Sequence, residues 1–197
     1  MMNTINAVYN DETIRVYQAF NARIAEEAVR LNTFGKCFKK ERMTWIKPSF
    51  LWIMYRSGWA EKENQEHILA IDIKRTGFEE ILKKAVMSTY NENMSISHEE
   101  WQRLIKISEV RCQFDPDRDI YGNPQKDRTI QLGLRGGMVE KYISEYIVKI
   151  TDITEEVRYL KSLRDSGRLD TEMLPVEVPY PTENIEIAGG INVKGKN

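Results

Sequence analysis

The sequence predicts an α+β fold: a single compact domain with a mixed or mainly antiparallel sheet and flanking helices. Three observations carry this expectation. Strand-like alternation and helix-like periodicity both occur, but in irregular order and without repeated βαβ units. The 197 residues are 41% hydrophobic and 30% charged, which suits one sizeable core rather than two cores or a disordered chain. No linker-like run interrupts residues 5–167, whereas Pro175, Pro179, Pro181, Gly189, Gly190 and Gly195 gather beyond them. The chain therefore divides into a domain over residues 1–170 and a Pro/Gly-rich arm and tail over 171–197, the arm extended along the body and the tail frayed.

Taken in order, residues 5–9 and 13–17 flank Asn10-Asp11-Glu12 and read as a hairpin, with Asn10-Asp11 suited to the turn. Ile24, Ala28 and Leu31 share a helical stripe that Asn21 can cap and Gly35 ends. Lys36, Lys39, Lys40 and Arg42 then form a basic loop. It leads into RMTWIKPSFLWIMYRSGW at residues 42–59, which holds three of the four Trp residues. Pro48 suits the start of a helix, residues 49–55 are nearly all apolar, and Ser57-Gly58 is a plausible stop.

Residues 60–65 read as loop and 68–73 as strand. Thr76 and Glu79 have the spacing of a capping box for a helix carrying Phe78, Leu82 and Ala85 on one face. Ser97 and Glu100 repeat that spacing before a shorter helix. Residues 109–114 alternate strictly, with Val110, Cys112 and Phe114 on one face and Arg111 and Gln113 on the other. The polar face is either solvent-exposed or lines a cavity. Residues 115–124 read as a turn region with Arg118 held by acids, and 129–134 stay ambiguous between strand and helix. Residues 138–142 make one or two helical turns and 146–150 a strand. Asp152 and Glu155 cap a last helix that ends near Ser166-Gly167.

The formal net charge of -1 gives no global field toward nucleic acid or an anionic membrane, so duplex DNA is not an expected partner. No apolar run approaches a membrane span, and residues 1–12 lack a signal-peptide pattern. Cys37 and Cys112 are too few for a disulfide framework, which fits reduced thiols and a cytoplasmic setting. His67 and His98 have no partner at zinc spacing, and Asp115, Asp117 and Asp119 start a calcium-like loop that fails at Ile120 and Lys126. No metal site is expected.

The segments ETIRVYQAF at 12–20, RMTWIKPSFLWIMYRSGW at 42–59, QEHILAI at 65–71, VRCQFDPDRD at 110–119, TIQLGLRG at 129–136 and DITEEV at 152–157 resemble the bacterial and fungal domain of unknown function 4291. The resemblance covers most of residues 5–180, and the chain has Asn6 where that family shows a basic residue in its first strand. The resemblance implies no activity, so function rests on the residues.

Those residues point to an anion site. Arg42, Lys47, Arg56, Arg111, Arg128 and Arg135 are candidate phosphate ligands, with Arg135 followed by Gly136-Gly137, whose amides can face an anion. Trp52 offers a stacking surface, Gln113 a polar strand face, and Tyr17 and Gln18 a strand end facing the same cleft. Glu66 or Asp115 is the candidate catalytic carboxylate. One reading is an enzyme on a phosphorylated nucleotide, NAD among them, with ribosyl or phosphoryl chemistry; a small split-sheet fold of this kind is similar, at fold level, to ADP-ribosyl transferases. The alternative is a non-enzymatic nucleic-acid or protein-partner module using interleaved Lys and Trp between 36 and 59.

Overall fold

The computed structural model describes residues 5–182, 186–187 and 191–192. The chain opens with β1 (Asn6–Ala7), β2 (Thr13–Phe20) and α1 (Ala22–Leu31). β3 (Thr44–Ile46), α2 (Phe50–Ser57) and β4 (His67–Lys74) follow. Then come α3 (Arg75–Lys83), β5 (Ala85–Met87) and α4 (His98–Ile107). β6 (Val110–Arg118) and β7 (Pro124–Leu134) form a long hairpin. α5 (Gly137–Lys141) runs into a π-helical turn (Tyr142–Tyr146), β8 (Ile147–Asp152) and α6 (Thr154–Asp165). The arm and tail add β9 (Val178–Pro179), β10 (Glu186–Ile187) and β11 (Ile191–Asn192).

The architecture is α+β, built on two main sheets. One is antiparallel, in the order β2-β4-β8; the other is mixed, in the order β3-β7-β6-β5, with β5 parallel to β6. The main core lies between them. Ile14, Val16, Leu69 and Ile71 from the first sheet join Val110, Cys112, Leu132 and Leu134 from the second, all fully buried. The first sheet is buried on its other face too. Tyr17, Ile68 and Ala70 there meet Phe50, Ile53 and Met54 of α2 and Val157 and Leu160 of α6. This double burial explains the nearly continuous apolar run of β4.

Several local expectations are corrected. The first hairpin forms only next to its turn, where the Arg15 amide donates to the Val8 carbonyl and the Asn10 amide to the Thr13 carbonyl. Asn10 Oδ1 accepts the amides of Glu12 and Thr13, and Tyr9 bridges Ile14, but β1 pairs antiparallel with β9. The Thr76–Glu79 capping box does not form, because β4 enters α3 directly at Lys74 with no side-chain cap, and Glu79 instead accepts the Tyr180 hydroxyl. Ala85 belongs to β5 rather than to that helix. The acidic stretch at 115–118 is strand with a bulge near Pro116, and only residues 119–123 turn. Arg118 is held by the Gly122 carbonyl and by the Tyr55 ring at 3.9 Å, not by acids. At the last helix, Asp152 accepts the Thr154 amide one position earlier than expected.

Ser97 caps α4 and Asn21 caps α1, and Gly58 closes α2 in the left-handed region at φ 59°. Within the tail, β10 and β11 pair antiparallel; the rest of the stretch expected to fray lies outside the described residues. Among the described residues, no helix is long and apolar enough to cross a membrane.

The arm inserts one side chain deeply. Tyr180 is fully buried, its ring edge meets Tyr9 and Phe78, and its amide donates to the Ile5 carbonyl at 2.7 Å. Its hydroxyl accepts from Arg75 Nε and donates to Glu79. Tyr180→Ala should therefore cost about 3–5 kcal/mol in urea unfolding, the range of a large core truncation. A loss under about 1 kcal/mol would show that the arm is not part of the cooperative unit.

Candidate functional site

The two main sheets meet at one point. The Tyr17 amide donates to the Lys47 carbonyl at 2.7 Å, forming an isolated antiparallel bridge between β2 and the residue after β3. Gln18 reinforces it. Its Nε2 donates to Thr44 Oγ1 at 2.7 Å and to the Trp45 carbonyl at 3.1 Å, and its Oε1 accepts the Tyr142 hydroxyl at 2.9 Å. Beyond this junction the sheets diverge, leaving a cleft of about 510 Å³.

Local sequence explains what enters it. Lys47-Pro48-Ser49 makes a tight link from β3 to α2, with Ser49 Oγ accepting the Trp52 amide. Trp52 and Ile53 then lie four and three residues before Arg56, which places each of them next to it on the helix surface, and all three line the cleft. The opposite wall comes from the polar faces of β6 and β7, where Gln131 Nε2 donates to Gln113 Oε1 at 2.6 Å and to Asp115 Oδ2 at 2.5 Å.

Of the residues singled out from sequence, Gln18, Arg42, Lys47, Trp52, Arg56 and Gln113 line this one cleft. Gln18 does so with its amide fully engaged by protein, so it braces the junction. Asp115 sits behind Gln131, and its charge acts on Lys47. The remaining candidates are elsewhere. Tyr17 is buried against Phe50 in the α2 cluster. Glu66 accepts the Asn64 amide at 2.8 Å and is outside the cleft wall, which takes Gln65 instead. Arg111 pairs with Gly133, on which the Trp45 ring rests, and its Nε is buried without a hydrogen-bond partner. Arg135 donates to the Ser108 and Lys106 carbonyls at the end of α4. The expected anion cradle at Gly136-Gly137 is occupied by the chain's own Glu109, whose Oε1 accepts the Gly137 amide.

The acids at 115, 117 and 119 do not converge. Asp117 accepts the Ser49 hydroxyl and Asp119 folds its own turn through Tyr121 and Asn123. Gln131 and Trp45 line the cleft but were not foreseen as site residues. The available signal was the polar Gln131 between buried Ile130 and Leu132, legible only once the run is known to be a strand.

Lys47 is the electrostatic centre. It is 6% exposed, and its ammonium lies 4.8 Å from the centre of the Trp52 ring. Burial, then repulsion from Arg56, lowers its pKa from 10.5 to about 8, while Asp115 opposes the shift. Neither Lys47, Arg42 nor Arg56 has an ion-pair partner among the described residues. The Trp52 indole N–H is likewise buried without a partner.

The arm secures the helix that carries Trp52 and Arg56. Glu177 accepts the Phe50 amide at 2.5 Å at the start of α2. The residue as a whole is half-buried, but its carboxyl group is enclosed. Burial raises its pKa from 4.5 to about 8, against the Phe50 hydrogen bond and aided by Asp117.

A family model described as Domain of unknown function (DUF4291) matches residues 4–180 of the chain. No curated protein matches it.

The two shifted groups predict a pH profile. Between about 8 and 10.5 the unfolded chain holds more protons at Lys47 than the folded one, so this group makes stability rise with pH there. Between 4.5 and about 8 the folded chain holds the extra proton at Glu177, so stability falls as pH rises. Urea unfolding from pH 5 to 10 should show Glu177→Gln flattening the falling limb and Lys47→Met the rising one. Lys47→Met should also gain about 1–3 kcal/mol at neutral pH, as a buried charge without an ion-pair partner is removed. A less stable Lys47→Met protein at neutral pH would contradict this account.

Proposed function

The chain belongs to the family described as Domain of unknown function (DUF4291), and we propose that the cleft at its sheet junction binds a phosphorylated nucleotide. The observation that carries the proposal is the buried Lys47 ammonium, flanked by Arg42 and Arg56, with no carboxylate in ion-pair contact among the described residues. Such a charge costs free energy in the empty protein, and a phosphate offsets it. The rival account, internal neutralisation by nearby acids, loses ground on geometry. Asp117 and Asp119 are engaged elsewhere, and Asp115 is hydrogen-bonded to Gln131.

The other walls suit the rest of a nucleotide. Trp52 and Trp45 supply aromatic surface beside the cations, and Gln113 and Gln131 supply amides for hydroxyl or base edges. The cleft volume of about 510 Å³ falls within the usual range for small-molecule sites. For ribosyl or phosphoryl chemistry, with NAD among the candidate substrates, Asp115 is a positioning carboxylate that acts through Gln131 and through its charge on Lys47. Glu66, tied to its own loop, drops out of that role.

Thermal melting across AMP, ADP, ATP and NAD, followed by product analysis, tests the proposal. Ligand at one hundred times Kd stabilises the folded state by about 2.7 kcal/mol. The shift should vanish in Lys47→Met, which stays folded, and shrink in Arg56→Ala. Binding should weaken as pH rises through about 8, where the Lys47 charge is lost. The absence of a shift with all four compounds, or one retained undiminished in Lys47→Met, would overturn the proposal. Product formation abolished in Asp115→Asn with binding intact would establish the enzymatic part.

A further inference from the structure

The cleft does not end at Arg42. A second lobe of about 660 Å³ opens beside it, and the two share Phe20, Arg42, Met43 and Thr44 as common wall. The second lobe is built from the start of α1 and the basic loop that follows that helix. Its cations are Arg23, Lys36, Lys39 and Arg42, and no Asp or Glu contributes to its lining. Arg23, Lys36 and Lys39 have no ion-pair partner among the described residues. Lys40, by contrast, is paired with Glu140 at 3.0 Å and is outside the lobe. Apolar surface accompanies the charge: Phe20 and Phe38 belong to the lobe, and their rings meet edge-on at 6.0 Å between centroids.

Each lobe therefore repeats the same chemistry, an aromatic wall with unpaired cations, and Arg42 stands where the lobes join. We propose that the site takes a dinucleotide, two ring-bearing halves linked by a diphosphate, with one half in each lobe and the diphosphate at Arg42. This rests on the nucleotide reading above and deepens it. A mononucleotide leaves one charged lobe empty. A triphosphate fills the second lobe with charge but leaves the Phe20 and Phe38 surface without a ring. Two halves on one linker bind more tightly than either alone, because the second engages at high effective concentration.

Calorimetric titration of the full chain with AMP, ATP and NAD distinguishes the cases. NAD should bind about tenfold or more tighter than AMP and tighter than ATP. The double variant Arg23→Gln with Lys39→Ala, both at exposed positions, should remove that advantage, lowering NAD affinity about tenfold or more beyond any loss of AMP affinity. Lys47→Met should weaken both ligands. Equal affinities for AMP and NAD would overturn the two-lobe inference and leave the nucleotide site standing. So would an unchanged NAD affinity in the double variant. ATP binding tighter than NAD, with the double variant abolishing the excess, would overturn it in favour of a phosphate channel. A single-stranded oligonucleotide binding tighter than NAD would overturn it in favour of a nucleic-acid groove. No binding of AMP, ATP or NAD at all would overturn the parent reading and this one with it.

Discussion

A single backbone hydrogen bond between sheets, Tyr17 to Lys47, governs the geometry of this protein. Two twisted sheets packed over a shared core must separate somewhere along their edges. Here the edges of β2 and β3 touch once and then part. Gln18 fixes the contact by donating both amide hydrogens, to Thr44 and Trp45, and accepting from Tyr142. Lys47 is thereby committed at its backbone, and the proline after it leaves little freedom in how α2 begins. The position of the ammonium, of Trp52 and of Arg56 follows from that one junction. A polar residue in the core-facing row of β2 would ordinarily weaken packing. Fully satisfied, it specifies which strand lies beside which.

Several charges elsewhere in the molecule are settled internally. Arg15 is paired with Asp72 across β2 and β4 through two hydrogen bonds. Glu80 is held down to about 2 by Lys141, Lys84 and Tyr146. Glu109 fills the amide site at Gly137. The cleft departs from this pattern, with its cations gathered around a buried member and the nearby acids turned to other partners. Local disagreement with otherwise consistent packing is what a binding site costs a fold.

The elements with strong local signals were legible in the sequence. Asn21, Ser97 and Gly58 take the capping roles that their types dictate, while Ser49, not Pro48, begins α2. The alternation at Arg111 and Gln113 marked a polar strand face, and the stretch at 42–59 marked the cations, whereas the continuation of that strand through Asp115 was hidden by a turn-like run of acids. What sequence could not supply was pairing. β1 finds its partner in the arm, β5 joins β6 in parallel, and Thr76 is passed over because the chain enters α3 without a turn. Arg135 and Tyr17 were placed in the site for plausible local reasons. Each was diverted by a partner remote in sequence or in another layer: the end of α4 for Arg135, the α2 cluster for Tyr17. Which of several arginines share a cavity depends on such distant contacts, whereas the residue types themselves do not.

The pairing of β1 with β9 also sets an order of assembly. A ribosome delivers Val178–Pro179 about 170 residues after Asn6–Ala7, so β1 waits that long for its partner. Until then the Ile5 carbonyl lacks the Tyr180 amide, and the space between Tyr9 and Phe78 lacks its ring. Loops this long close slowly, and an unpaired strand edge in a nascent chain is a place where chaperones and stray strands compete. The arm acts as a latch fitted after synthesis of the body. The same segment places Glu177 at the start of α2, so the helix beside the cleft receives its last constraint in the same late step.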